Sequence, residues 1–184
     1  MTLYALILFL HLTGAVLLFL AFGIEWTAVS FLGKSATAAE AQNWLRLGRL
    51  APIVNGPALL LIILSGGYLA SLTGAMKQGW IPATFIGIAI VVLLGVTINV
   101  PFLRKIRLTS AEDGEKLLPA LRTKALPVSV RLRVFTALGI IYLMAAKLTF
   151  AQSMLVLLIA LLGGLFFSIP VFTRKSQVLL RDQK

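Results

Sequence analysis

Few side chains of this sequence could do chemistry in an apolar environment. One histidine, His11, and one acidic residue, Glu25, lie within the first long apolar stretch, while Asn55 and Asn99 lie in later ones. Polar groups are costly inside a bilayer, so each is a candidate functional group. An imidazole can ligate haem or a metal or relay protons. A buried carboxylate can couple to protons or cations.

His11 and Glu25 share one helical face without being able to touch. Their spacing places them within about 40° around a helix and about 21 Å apart along its axis. They therefore belong to different sites or to opposite ends of one path for protons or ions. The alternatives are a neutral, hydrogen-bonded His11 near the outer interface and a Glu25 that pairs with Arg46, Arg49 or an arginine of a later basic loop.

Each of the two asparagines stands two residues before a proline, Pro57 or Pro101. A proline inside a helix frees a carbonyl group and can kink the helix. Two such segments at matching depth predict a polar notch formed by Asn55 and Asn99 beside Glu25, near the inner side of a membrane.

Near the outer side, the sequence groups His11 with Tyr142 and Lys147. Lys147 is also explained as an interfacial residue at a turn between two helices. All six polar candidates are intramembrane groups, and none is predicted to be catalytic: Glu25, Asn55, Asn99, His11, Lys147 and Tyr142.

Several classes of site are excluded by composition. The sequence has no cysteine and one histidine, which excludes thiolate sites and any two-histidine metal or haem site within one chain. No nucleophile elbow, phosphate-binding loop or zinc-protease motif occurs. The acidic residues Glu112, Asp113 and Glu115 lack the spacing of a calcium loop. We therefore expect no metal site and no enzymatic activity, and no cofactor unless His11 ligates haem.

The bulk composition predicts an all-α membrane protein. The chain is 59% hydrophobic and 12% charged, whereas soluble domains average about 25% charged residues. Uncharged runs cover 51–76, 78–103 and 148–173. Each exceeds the roughly 20 residues that a helix needs to cross a bilayer. The apolar residues form continuous blocks without the alternation of barrel strands.

The runs divide a single domain, 1–184, into five predicted transmembrane helices. The stretch 134–173 contains one charge and would be about 60 Å long as one helix, so we divide it into two. An amphipathic segment before the second span predicts an interfacial helix, with Trp44 and the leucines toward lipid and the arginines toward headgroups. The predicted elements are spans at 3–26, 52–73, 80–103, 132–149 and 152–173, the interfacial helix at 36–50 and a cytoplasmic loop at 104–131.

The charge distribution predicts the orientation of this bundle. Five spans leave only Lys77 and Lys147, of the 17 lysines and arginines, on one side. The positive-inside rule then places the N-terminus outside and the C-terminus in the cytoplasm. The net charge of +11 fits contact with anionic lipids, and no segment is typical of nucleic-acid binding.

Parts of the sequence resemble known membrane-protein families. The segments Leu10-His-Leu-Thr-Gly-Ala15, Gly23-Ile-Glu-Trp26, Gly56-Pro-Ala-Leu-Leu-Leu61 and Leu138-Gly-Ile-Ile-Tyr-Leu-Met-Ala-Ala-Lys147 resemble a group of uncharacterised bacterial inner-membrane proteins. The Leu-His-x-x-Gly-Ala opening is also similar to copper-resistance D-type membrane proteins and to small haem-associated membrane proteins, which carry further histidines. The resemblance implies a bacterial plasma membrane and no particular activity.

Three functions are compatible with these patterns. The first is an accessory subunit or homo-oligomer that acts through helix packing. The second is a proton- or ion-coupled transporter or channel that uses Glu25, Asn55 and Asn99. The third is a haem-binding redox subunit that uses His11.

Overall fold

The computed structural model describes residues 2–102, 104–106 and 123–173. Within these ranges the regular structure is entirely helical, as predicted. Five helical stretches are long and apolar enough to cross a membrane, which confirms the predicted number. They are Leu3–Leu32, Ala38–Leu72, Trp80–Ile106, Ala125–Ala146 and Phe150–Val171.

These stretches contain shorter elements, which we number in chain order. The α-helices are α1 (Leu3–Leu32), α2 (Ala38–Gly48), α3 (Leu50–Leu72), α4 (Trp80–Leu94), α5 (Ala125–Ala146), α6 (Phe150–Phe166) and α7 (Ile169–Thr173). A 3₁₀ turn at Ala75–Lys77 precedes α4, and a π-helical turn at Gly95–Asn99 follows it.

The long helices run alternately up and down, and small residues allow them to approach closely. A Cβ added at Gly14 of α1 would lie 2.9 Å from the Cγ1 atom of Ile62 of α3. A Cβ at Gly87 of α4 would be equally close to Ile140 of α5. Such contacts require glycine because any larger side chain would separate the helices. We call the end at which α1 begins the Leu3 end and the opposite end the Leu32 end.

Two helices extend well beyond the predicted spans. α1 continues to Leu32 beyond the expected end at residue 26. α5 begins at Ala125 rather than at 132, because Pro127 lies in its first turn, where no backbone donor is lost. Of the predicted loop 104–131, the parts 104–106 and 125–131 are therefore helical, and 107–122 lie outside the described residues.

A helix lies at the predicted interfacial position as α2, and its side chains Ala41 and Leu45 pack inward. Thr37 caps its N-terminus by accepting a hydrogen bond from the Glu40 backbone N–H, at 3.2 Å. Leu45 is buried in a cluster with Leu32 and Leu126. Trp44 stacks on the Phe31 ring, with 4.6 Å between centroids. The prediction that the leucines face lipid is therefore wrong for Leu45, which the end of α1 covers, whereas Trp44 is half-buried and Leu50 is exposed.

The turn expected between the last two spans lies at Lys147–Thr149. Lys147 adopts a left-handed conformation with φ of 50°, and its backbone N–H donates a hydrogen bond to the Leu143 carbonyl oxygen. Thr149 and Gln152 then form a capping box that starts α6 at Phe150. α5 thus ends three residues before the predicted 149, and α6 starts two residues before the predicted 152.

The outer surface of the bundle carries large apolar side chains on every long helix. Phe9, Leu64, Leu93 and Phe166 are each at least 60% exposed. Soluble monomers rarely expose such extensive apolar surface. Together with the five long helices, it indicates a multi-pass membrane protein.

Candidate functional site

Glu25 of α1 forms an ion pair with Arg133 of α5 inside the bundle. The Arg133 Nη1 atom lies 3.0 Å from the Glu25 Oε1 atom and 2.8 Å from Oε2. Glu25 is 8% exposed and Arg133 is 5% exposed. Burial weakens the screening of their charges, so the pair attracts more strongly than it would at a surface.

Two further side chains complete a network around this pair. Asn99, the last residue of the π-helical turn, donates from its amide to Glu25 Oε1. Ser129 of α5 donates to the Asn99 Oδ1 atom at 2.9 Å. We call Glu25, Asn99, Ser129 and Arg133 the Glu25 network. It links α1, the continuation of α4 and α5 near the Leu32 end of the bundle.

Local sequence explains why Asn99 reaches this position. Pro101 has no N–H, and in a regular α-helix its ring would collide with the Thr97 carbonyl. The wider π-helical turn at Gly95–Asn99 lies directly before it. Such turns interrupt the regular hydrogen-bond ladder and occur frequently at functional sites. Here the turn brings the Asn99 amide to the carboxylate of α1.

Arg133 bonds Glu25 through its Nη1 atom and contacts an aromatic ring with its guanidinium face. Its guanidinium carbon lies 5.0 Å from the centroid of the Phe22 ring, within cation–π range. Its Nε atom is buried with no hydrogen-bond partner. The network as a whole carries one positive and one negative charge, so it is neutral. Removal of either charge would leave the other buried and unpaired.

A small cavity of about 20 Å³ lies beside Glu25. Its walls include Ala28 and Leu32 of α1, together with Trp44, Leu45 and Gly48 of α2. The space is enough for about one water molecule. α2 therefore covers the face of Glu25 that points toward the Leu32 end.

Asn55 does not join the Glu25 network, although the sequence grouped it with Asn99. Its side chain is buried, and its Oδ1 atom has no hydrogen-bond partner. Asn55 lies on α3, the helix that packs along α1 and supplies the partners of His11. The predicted notch thus contains Asn99 but is completed by Ser129 and Arg133.

His11 lies in the other half of the bundle and is half-buried against α3. Its Nδ1 atom is 3.2 Å from the Ile62 carbonyl oxygen and 3.2 Å from the Ser65 hydroxyl oxygen. The close packing is possible because residue 66 is a glycine: a Cβ there would lie only 2.8 Å from the His11 Cε1 atom. Neither Tyr142 nor Lys147, both of them exposed, is among these partners.

A cleft of about 50 Å³ adjoins His11 where α1, α3, α4 and α5 meet. His11 is the one polar side chain in its wall. The other lining residues are aliphatic or aromatic: Ala15, Leu18, Phe19, Leu59, Ile62, Ile88, Val91, Ala137, Ile140, Ile141 and Met144. Sites for drug-sized ligands have about 300–1,000 Å³, so this cleft does not favour a porphyrin.

The sequence predicted Glu25 and Asn99 as neighbours and missed Ser129 and Arg133. A loop arginine was one of the predicted partners of Glu25, but Arg133 lies outside the predicted loop 104–131, at the start of the predicted span 132–149. The pattern that could have identified it is helical: Ser129, Arg133 and Ala137 recur every four residues on the buried face of α5.

The described residues contain no group of three or more histidine, cysteine, aspartate or glutamate side chains that could hold a metal ion. Comparisons of the chain with protein-family models, curated proteins and solved structures find no match. The family resemblance of the sequence therefore stays an expectation. The site is defined by its geometry alone: a closed charged network near one end and an imidazole beside an apolar cleft near the other.

Proposed function

We propose that this protein is an integral protein of a bacterial plasma membrane, with its N-terminus outside and its C-terminus in the cytoplasm. The apolar surface of all five long helices supports insertion. The charge distribution supports the orientation, because within the described residues the turns at the Leu3 end carry only Lys77 and Lys147 among the lysines and arginines. The Glu25 network then lies in the cytoplasmic half of the membrane.

Within that membrane the protein acts through helix packing, as a homo-oligomer or as an accessory subunit of a larger complex. The observation that carries this proposal is the closure of the Glu25 network. Both carboxylate oxygens are bound by Arg133, and Asn99 provides a further donor. An ion pair satisfied in this way fixes three helices relative to one another and leaves an almost wholly apolar surface for partners.

The native mass in lipid nanodiscs, together with cross-linking in cells, tests this function. We expect a defined oligomer or one reproducible partner. Cross-linkers placed at Leu64 and Phe166, which are exposed on different helices, will report which face is covered. A monomer that captures no partner from either position contradicts the packing role.

A second function, proton or ion movement through Glu25, is favoured by the cavity beside that residue. One wall of this cavity is formed by α2, a short helix that could move without breaking a span. Such motion would expose the carboxylate to cytoplasmic water. Transport by this route requires Glu25 to release Arg133 at some stage.

Proteoliposome flux distinguishes the second function from the first. Glu25→Gln should abolish proton or cation flux if the carboxylate carries it. Glu40→Gln is the matched control, because Glu40 is exposed on α2. Flux that is absent from the native protein, or unchanged by Glu25→Gln, rules out this second function and leaves the packing role.

A further inference from the structure

The hydrogen bonds of His11 determine which of its ring nitrogens carries the proton. A backbone carbonyl can only accept, so the contact with Ile62 requires a proton on Nδ1. The Ser65 hydroxyl donates to the Leu61 carbonyl, which leaves its oxygen as an acceptor toward the same Nδ1. Both partners thus select the Nδ1–H tautomer of a neutral imidazole.

The other nitrogen is left as a hydrogen-bond acceptor. In this tautomer Nε2 has a lone pair and no hydrogen, and no hydrogen bond to it is formed within the described residues. His11 also supplies the one polar side chain in the wall of the neighbouring cleft. His11 is half-buried, and an acceptor that borders an apolar cleft without a donor gains free energy from a ligand that supplies one.

The size and lining of the cleft limit what this ligand can be. A space of about 50 Å³ excludes a bulky ring system. The purely apolar wall disfavours an ion, because nothing there would replace its hydration. A hydroxyl group with the first few carbons of a straight alkyl chain satisfies both conditions, because that much fits beside the imidazole and the rest of the chain can extend outward from the cleft.

We propose that the His11 cleft binds the hydroxyl end of a slender membrane amphiphile, a straight-chain alcohol or a lipid with a free aliphatic hydroxyl. The hydroxyl donates its hydrogen bond to Nε2, and the alkyl chain lies against Ala15 and Ile141. Nothing in this inference depends on whether the protein oligomerises or transports ions.

The single histidine makes the test direct, because ¹⁵N-histidine labelling gives one imidazole spectrum. The protein is placed in phosphatidylcholine nanodiscs, since that lipid carries no hydrogen-bond donor to compete. 1-Octanol is the probe, and 1-methoxyheptane, with the same number of heavy atoms but no donor, is its control. The free protein should show a protonated Nδ1 and an unprotonated Nε2.

Octanol should shift the Nε2 resonance to saturation. The ether should need a concentration at least about tenfold higher for the same shift, because it cannot donate the hydrogen bond. Ala15→Phe, which fills the cleft, should abolish the shift. Equal binding of alcohol and ether, no saturable shift, or a protonated Nε2 overturns the proposal. If Ala15→Phe does not fold, the two probes on the native protein still decide the question.

Discussion

The two polar regions of the bundle satisfy their hydrogen-bonding groups to different degrees. In the Glu25 network, two opposite charges and two neutral side chains bond one another across three elements. At the other end, His11 is neutral, bonds only to α3, and keeps one nitrogen beside an apolar cleft. In one region a carboxylate is fully paired between helices, and in the other an imidazole nitrogen has capacity for a further partner.

The difference follows from the cost of burying charge. An unpaired ion in an apolar interior costs several kcal/mol, so Glu25 needs Arg133 and additional donors. A half-buried neutral imidazole with one unused acceptor loses much less, because it carries no charge. Such a loss is tolerable, and a ligand can recover it. We therefore expect substitutions in the Glu25 network to affect stability most and those around His11 to affect binding.

The largest effect is expected from Arg133→Met. This variant retains much of the side-chain volume but leaves the Glu25 carboxylate buried without its counter-charge. The free energy of unfolding should fall by about 3–5 kcal/mol, measured by denaturation in mixed micelles. Arg131→Met is the control with the same charge change. The Arg131 guanidinium carbon lies 5.4 Å from the centroid of the Trp26 ring, and Arg131 has no ion pair with Glu25. Arg131→Met should therefore lower the free energy of unfolding by less than about 1 kcal/mol.

An intermediate effect is expected where α3 contacts His11. Gly66→Ala places a methyl group 2.8 Å from the His11 Cε1 atom and should cost about 1–3 kcal/mol through overpacking. The adjacent Gly67 has nothing within 4 Å of its added Cβ. Gly67→Ala should therefore be neutral or stabilise by up to about 1 kcal/mol, because alanine favours helix. Equal effects of the two substitutions on unfolding would show that α3 does not pack on His11 in this way.

The smallest effect is expected at the turn between α5 and α6. Lys147 holds a left-handed conformation, which costs an ordinary residue about 1 kcal/mol relative to glycine. Lys147→Gly should therefore raise stability by about 0.5–1 kcal/mol, seen as a higher melting temperature. Lys147→Ala should leave it nearly unchanged. A clear loss in both variants would instead indicate that the lysine ammonium group stabilises the turn.

Sequence reasoning predicted the elements that depend on local chemistry. Long uncharged runs predicted five helices, and the polar cluster after Ala146 predicted the turn, because each follows from composition over adjacent residues. The 14-residue spacing correctly separated His11 from Glu25. Both lie on the face of α1 that packs inward, together with the buried Gly14 and Phe22.

The partners across helices could not be predicted in the same way. Arg133 stands next to the basic loop in the sequence, so its position alone does not indicate a buried partner. Only the packing of α5 on α1 turns it toward Glu25. Asn55 and Asn99 have the same local motif, yet one joins the network and the other does not. Their different positions depend on the π-helical turn before Pro101 and on the faces that α3 and α4 present, which are properties of tertiary packing.

The most direct test of the account is a double-mutant cycle between Glu25 and Arg133, measured as free energy of unfolding in one lipid mixture. If the pair is a structural contact, adding Glu25→Gln to Arg133→Met removes the unpaired charge. The double variant should then recover at least about 2 kcal/mol of the single variant's loss. Purely additive losses, with no recovery, would contradict the claim that these two residues stabilise the bundle as a pair.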